Sequence, residues 1–78
     1  MFNEEDVYKI LNEFLVYSGE EVNPNTQVMG NPALNEVNIV DMVITLEDNF
    51  GIHIYDDDID SLKTVQDVVD YIKKEMGE

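Results

Sequence analysis

Carboxylates dominate the side chains of this sequence that could do chemistry, and one group of them has the spacing of metal ligands. Asp56, Asp58 and Asp60 alternate as the first three ligands of an EF-hand calcium loop do, and Asp67 falls at the twelfth position. Ser61, however, stands at the sixth position, where that loop requires glycine. We therefore predict no specific metal site, and Asp56, Asp58 and Asp60 are only weak candidates for loose divalent binding.

Side chains suited to catalysis are sparse. His53 is the single histidine, and it has no cysteine or second histidine to act with. Ser61 has no nearby base and no nucleophile-elbow sequence around it. A pair of carboxylates acts as acid and base only when a cleft gives the two different environments, and a domain this small offers little room for one. We expect His53 to be structural or solvated, and the protein not to be an enzyme.

The charge balance is strongly acidic. Eighteen Asp and Glu face four Lys and Arg, which gives a formal net charge of −14 at pH 7. Such a field repels nucleic-acid phosphates and anionic lipid surfaces, and it attracts basic protein surfaces and cations. We therefore expect a partner with a basic surface, and neither nucleic acid nor a membrane.

Length and composition favour one small cytoplasmic domain. The 78 residues contain no cysteine, which suits a reducing compartment. They contain no apolar run of the roughly 20 residues that span a membrane, and the first residues lack the basic start and long apolar stretch of a signal peptide. We expect a single domain over residues 1–78, monomeric and cytoplasmic.

Helical periodicity appears in three segments. Asn3 can cap a first helix that ends near Tyr17, and Thr64 can cap a last helix, with Asp67 completing an acidic variant of the capping box. Between them, residues 18–35 read as a long loop, residues 51–55 as an extended connector, and residues 56–62 as a short helical turn. The pattern predicts an all-α bundle of three main helices, a short third helix and a long first loop.

The segment from Asn35 to Gly51 predicts a middle helix with more apolar surface than one docked face needs. Asn35 suits its N-cap and Gly51 its C-terminal stop. One stripe is expected to face the core: Ile39, Met42, Val43, Leu46 and Phe50. A second stripe is either more core or a docking face with an acidic rim, and the predicted partner-binding residues are Val37, Val40, Asp41, Ile44, Glu47 and Asp48.

Over nearly its whole length the chain resembles the acyl carrier proteins of fatty-acid and polyketide synthesis. The most distinctive segments are Leu46-Glu47-Asp48-Asn49-Phe50-Gly51-Ile52, which is similar to the end of the family's second helix, and residues 62–72, which resemble its closing helix. The resemblance implies a four-helix bundle whose second helix docks on basic patches of partner enzymes in acyl metabolism. It also implies a phosphopantetheine arm on the serine of an Asp-Ser-Leu motif that opens that helix.

The chain departs from the family at that motif. The corresponding residues are Asn35, Glu36 and Val37, so Glu36 stands where the resemblance places the serine. A carboxylate has no hydroxyl with which to form the phosphodiester. No Ser, Thr or Tyr occurs from Pro32 to Met42. We therefore expect no cofactor, and phosphopantetheine only if the serine is restored.

Three hypotheses remain open from the sequence. The chain is a carrier-like protein that carries nothing covalently and acts by docking. Alternatively, it is an ordinary acyl carrier protein in which Glu36 is an engineered replacement. In the third hypothesis, it is an acidic protein that binds divalent cations on a similar fold.

Overall fold

The structure is a computed structural model that describes residues 1–15 and 21–78. Its four helices are α1 (Glu4–Leu15), α2 (Glu36–Phe50), α3 (Asp56–Ile59) and α4 (Val65–Glu75). No strand occurs in the described ranges. The prediction of an all-α fold with three main helices and a short third helix is confirmed. The predicted end of the first helix near Tyr17 lies outside the described residues.

Side-chain caps fix where the main helices begin. The Asn3 side chain accepts a hydrogen bond from the backbone N–H of Glu5 at 3.0 Å, which supports the start of α1. At α4, the Thr64 side chain accepts from the Asp67 N–H at 3.2 Å, and Asp67 Oδ2 accepts from the Thr64 N–H at 3.1 Å. This reciprocal pair is the capping box that the sequence predicts.

Gly51 ends α2 in the left-handed conformation. Its φ is 65° and its N–H donates to the Glu47 carbonyl at 2.8 Å. Glycine adopts this conformation without the steric cost that a Cβ atom brings, so α2 stops here and the chain turns into the connector that leads to α3.

One apolar cluster joins α1, α2 and α4 with the two long connections. In α2 the core face is formed by Met42, Val43 and Leu46, with Ile39 and Phe50 half-buried against it, as predicted. The connections contribute four further buried side chains: Val28, Leu34, Ile54 and Leu62. Because α3 has no buried residue of its own, its position depends on its neighbours.

The long loop before α2 is held against the start of α4 by its backbone. The N–H of Met29 donates to the Leu62 carbonyl at 3.2 Å, and the N–H of Val65 donates to the Thr26 carbonyl at 3.0 Å. Gln27 and Thr64 form an isolated antiparallel bridge. These contacts seat Val28 and Leu34 in the core, so the loop fixes the position from which α2 starts.

Candidate functional site

The second stripe of α2 faces solvent. Val37 is 67% exposed, Val40 56% and Ile44 49%. The alternative in which this stripe is more core is therefore wrong, because the first stripe already covers the interior from its own side of the helix. An apolar row that stays exposed on a strongly charged small protein is typical of an interaction surface.

The N-terminus of α2 is organised by two asparagines. Asn35 Oδ1 accepts from the Asn38 N–H at 2.8 Å, and Asn38 Oδ1 accepts from the Asn35 N–H at 3.2 Å. Asn35 is thus the predicted N-cap, and Asn38 makes it a full capping box. The sequence prediction missed Asn38, although the Asn-x-x-Asn spacing carries the signal.

Glu36 is the first residue of α2, and its side chain is exposed. It is also the only acid in the first turn of this helix. An acidic side chain at this end interacts favourably with the helix dipole, worth about 0.3–1 kcal/mol. The fold therefore accommodates the Glu36 carboxylate without burying it, and leaves it accessible at the mouth of the helix.

The acidic rim of the exposed stripe divides into two kinds of residue. Asp41 and Asp48 are exposed on α2. The Glu47 side chain is only 22% exposed, and its Oε2 lies 3.1 Å from His53 Nδ1. The same oxygen accepts a hydrogen bond from the Ile54 N–H at 2.8 Å. Glu47 therefore anchors the connector as well as adding charge to the rim.

His53 lies on the solvent side of that connector. Its side chain is 67% exposed, and its ring meets the ring of Tyr55 edge-on with centroids 4.5 Å apart. Ile54, between them in sequence, is buried. These positions agree with the extended connector that the sequence predicts, with Ile54 inward and His53 in a structural, solvated place.

The acidic turn at α3 is tied to α4 by a tyrosine. Tyr71 Oη donates to Asp58 Oδ2 at 2.8 Å, and it accepts a longer hydrogen bond of 3.4 Å from the Tyr55 N–H. Burial, together with the hydrogen bond to Asp58, raises the pKa of Tyr71 to about 12. Of the weak metal candidates Asp56, Asp58 and Asp60, the middle one is thus occupied by a phenol.

Asp67, the would-be twelfth ligand of the calcium loop, is committed to the cap of α4. Its Oδ2 accepts from the backbone N–H groups of Lys63 and Thr64, both at 3.1 Å. Within residues 1–15 and 21–78, no three His, Asp or Glu side chains are grouped so that they could hold a metal ion.

The part of the chain that the structure describes contains no helix with the length and apolarity needed to cross a membrane. This finding matches the absence of a long apolar run in the sequence.

Comparison with known proteins gives relatives that match over almost the full chain. No protein-family model matches it. It is 34% identical over 74 residues to the acyl carrier protein of Chlamydia caviae, covering 95% of this chain and 96% of the relative. It is 34% identical over 70 residues to the acyl carrier protein of Nitratidesulfovibrio vulgaris, covering 90% and 92%. The acyl carrier protein of Lactobacillus acidophilus is 30% identical over 79 residues, covering 96% and 99%.

Proposed function

The chain belongs to the acyl carrier protein family, and from that premise we propose that it acts by docking on partner enzymes without the family's covalent phosphopantetheine arm. Membership of a family of carriers confirms the prediction that it is not an enzyme. The observation that carries the proposal is Glu36, which opens α2 where the family resemblance places the attachment serine.

The residues around this position do not fit the arm. Its attachment needs a hydroxyl, and Glu36 offers only carboxylate oxygens. Thr45, the hydroxyl residue within α2, lies nine residues on, about 13 Å along the helix axis, and its Oγ1 donates to the Asp41 carbonyl at 2.7 Å. Ser61 belongs to another segment, where its Oγ donates to the Asp58 carbonyl. No hydroxyl near the start of α2 replaces the serine.

The exposed stripe of Val37, Val40 and Ile44 supports a docking role that needs no arm. Asp41 and Asp48 add exposed negative charge on the same helix. A partner with an apolar contact surface bordered by Lys and Arg would complement this face in both respects. The family suggests that such partners are enzymes of fatty-acid, polyketide or related acyl metabolism.

In this proposal Glu36 has a positive role. Its carboxylate supplies a fixed negative charge at the helix end where a family carrier holds the phosphate of its arm. A basic partner site that accepts that phosphate would accept the carboxylate as well, because both are anions held at the same point of the docking face.

Intact mass spectrometry tests the proposal. The protein is incubated with coenzyme A and a broad-specificity phosphopantetheinyl transferase, and no phosphopantetheine adduct is expected. An adduct would show that a residue of this chain accepts the arm, and the proposal would fall.

A further inference from the structure

A groove lies beside the exposed stripe, between α2 and the segment that leads into α3. It has a volume of about 230 Å³. Its apolar lining is shared by the two sides and consists of Ile39, Val40, Val43, Ile44, Ile54 and Ile59. Such a volume suits one or two aliphatic side chains and is smaller than the pockets of roughly 300–1,000 Å³ that hold drug-sized ligands.

The groove is continuous with only part of the exposed stripe. Val40 and Ile44 line it, whereas Val37 does not. The remaining groove residues come from His53 to Ile59, which is a different segment of the chain. The contact surface therefore extends from α2 across to α3, rather than running along α2 alone.

The charge around the groove is one-sided. Glu47 and Asp56 line it, with His53 beside them. Residues 35–46 contain two acids, Glu36 and Asp41, whereas residues 47–60 contain six, and no Lys or Arg occurs between residues 35 and 60. Negative charge is thus concentrated at the α3 end of the surface, away from the start of α2.

We infer that this groove receives an aliphatic side chain from a basic partner, with a Lys or Arg of the same partner segment placed against Asp56. The inference rests on the proposed docking function and names the chemistry of the partner. An apolar anchor surrounded by complementary charge is the usual anatomy of an interface hot spot.

The charge distribution argues against two other occupants. A free ligand with a carboxylate head would meet the acids of the groove and the net charge of −14. A second copy of the chain carries the same charge and would be repelled for the same reason. A basic protein segment gains from this field in both association rate and orientation.

The inference is tested with a synthetic helical peptide that carries one leucine flanked by lysines. Two control peptides replace the leucine with serine or the lysines with glutamates. Binding is measured by fluorescence anisotropy. We expect the leucine–lysine peptide to bind and each control to bind at least roughly tenfold more weakly, since the first loses the anchor and the second the charge.

Two matched pairs of protein variants locate the site. Ile44→Ser removes an exposed groove residue, and Val37→Ser removes an exposed residue of the same stripe outside the groove. Asp56→Asn and Asp60→Asn remove equal charge, but only Asp56 lines the groove. We expect Ile44→Ser and Asp56→Asn to weaken binding several-fold more than their controls.

A measurement on the unaltered protein keeps the test independent of variant folding. The methyl resonances of Ile54 and Ile59 should shift on peptide addition, because both side chains line the groove. Equal losses from Val37→Ser and Ile44→Ser, or no shift at Ile54 and Ile59, would overturn the groove and leave the docking proposal standing. Absence of peptide binding, or concentration-dependent pairing of the chain through these methyls, would also overturn it. A phosphopantetheine adduct is a separate failure, which concerns the proposed function alone.

Discussion

The carboxylate of Glu47 accepts a hydrogen bond from the backbone N–H of Ile54 at 2.8 Å, and this contact joins α2 to the connector before α3. The same oxygen faces His53 Nδ1 at 3.1 Å. Glu47 therefore helps to set the distance between the two sides of the groove. A change at Glu47 would alter structure and surface charge together, so the exposed Asp41 is the cleaner residue for testing docking.

Charge reversal at Asp41 should weaken docking mainly by slowing association. Asp41→Lys replaces an exposed negative charge beside the stripe with a positive one. We expect the association rate with the leucine–lysine peptide to fall several-fold at low salt, and the difference to shrink as salt is added. Stopped-flow fluorescence measures both.

Glu13→Lys on α1 provides the control for Asp41→Lys, because it changes the net charge equally on an exposed residue of another helix. It should have a smaller effect on the association rate. Equal rates for Asp41→Lys and the unaltered protein, with the same dependence on salt, would count against the docking face.

Tyr71→Phe should destabilise the fold, because it removes the hydroxyl that holds α3. The phenol donates to Asp58 and accepts from the Tyr55 N–H, and the variant leaves both without this partner. We expect a loss of about 1 kcal/mol in the free energy of unfolding below pH 10, measured by urea denaturation. A variant as stable as the original protein would show that the contact contributes nothing.

The same residue gives a pH dependence whose sign can be stated. The folded protein holds the pKa of Tyr71 at about 12, above the ordinary 10.0, so folding favours the protonated phenol. Its contribution is full below pH 10 and is lost as pH rises through 12. The original protein should therefore lose more stability than Tyr71→Phe across that range, and the difference in tyrosinate absorbance between them should titrate near pH 12.

The capping box of α4 should be a local source of stability. Asp67→Ala removes the oxygen that accepts from the Lys63 and Thr64 N–H groups. We expect a loss of about 1–2 kcal/mol by urea denaturation. Asp70→Ala is the control: Asp70 is exposed and accepts only from the Gln66 side chain in the same helix, so it should cost less than about 0.5 kcal/mol. Similar losses in both variants would argue against the cap.

Self-repulsion should make the melting temperature depend on salt. With a net charge of −14, the folded chain holds its acids closer together than the unfolded chain does. Added sodium chloride, and divalent cations at lower concentration, should raise the melting temperature by screening this repulsion. Thermal unfolding followed by circular dichroism measures it, and a constant melting temperature across the titration would contradict the expectation.

The fold could be predicted from the sequence where local chemistry determines it. The caps at Asn3, Asn35 and Thr64 and the stop at Gly51 are short-range signals, and the structure places α1, α2 and α4 accordingly. The apolar periodicity of α2 identified both stripes. Periodicity could not decide whether Val37, Val40 and Ile44 face core or solvent, because that depends on which surface α1 and α4 already cover.

The contacts that the sequence did not reveal join residues far apart along the chain. Asp58 pairs with Tyr71, thirteen residues away, and the loop around Val28 pairs with the segment before α4. Neither type of pairing leaves a periodic pattern. Glu47 was expected in the acidic rim, and its link to Ile54 follows only from the left-handed turn at Gly51 that brings the connector back alongside α2.

The most direct test of the central claim is the intact mass of the protein after incubation with coenzyme A and a broad-specificity phosphopantetheinyl transferase. Glu36→Ser is the matched variant, because it restores the hydroxyl at the first residue of α2 and tests whether the loop before that helix still fits the transferase. A known acyl carrier protein in a parallel reaction shows that the transferase is active. The account predicts an unchanged mass for the protein with Glu36, and a phosphopantetheine adduct on that protein would contradict it.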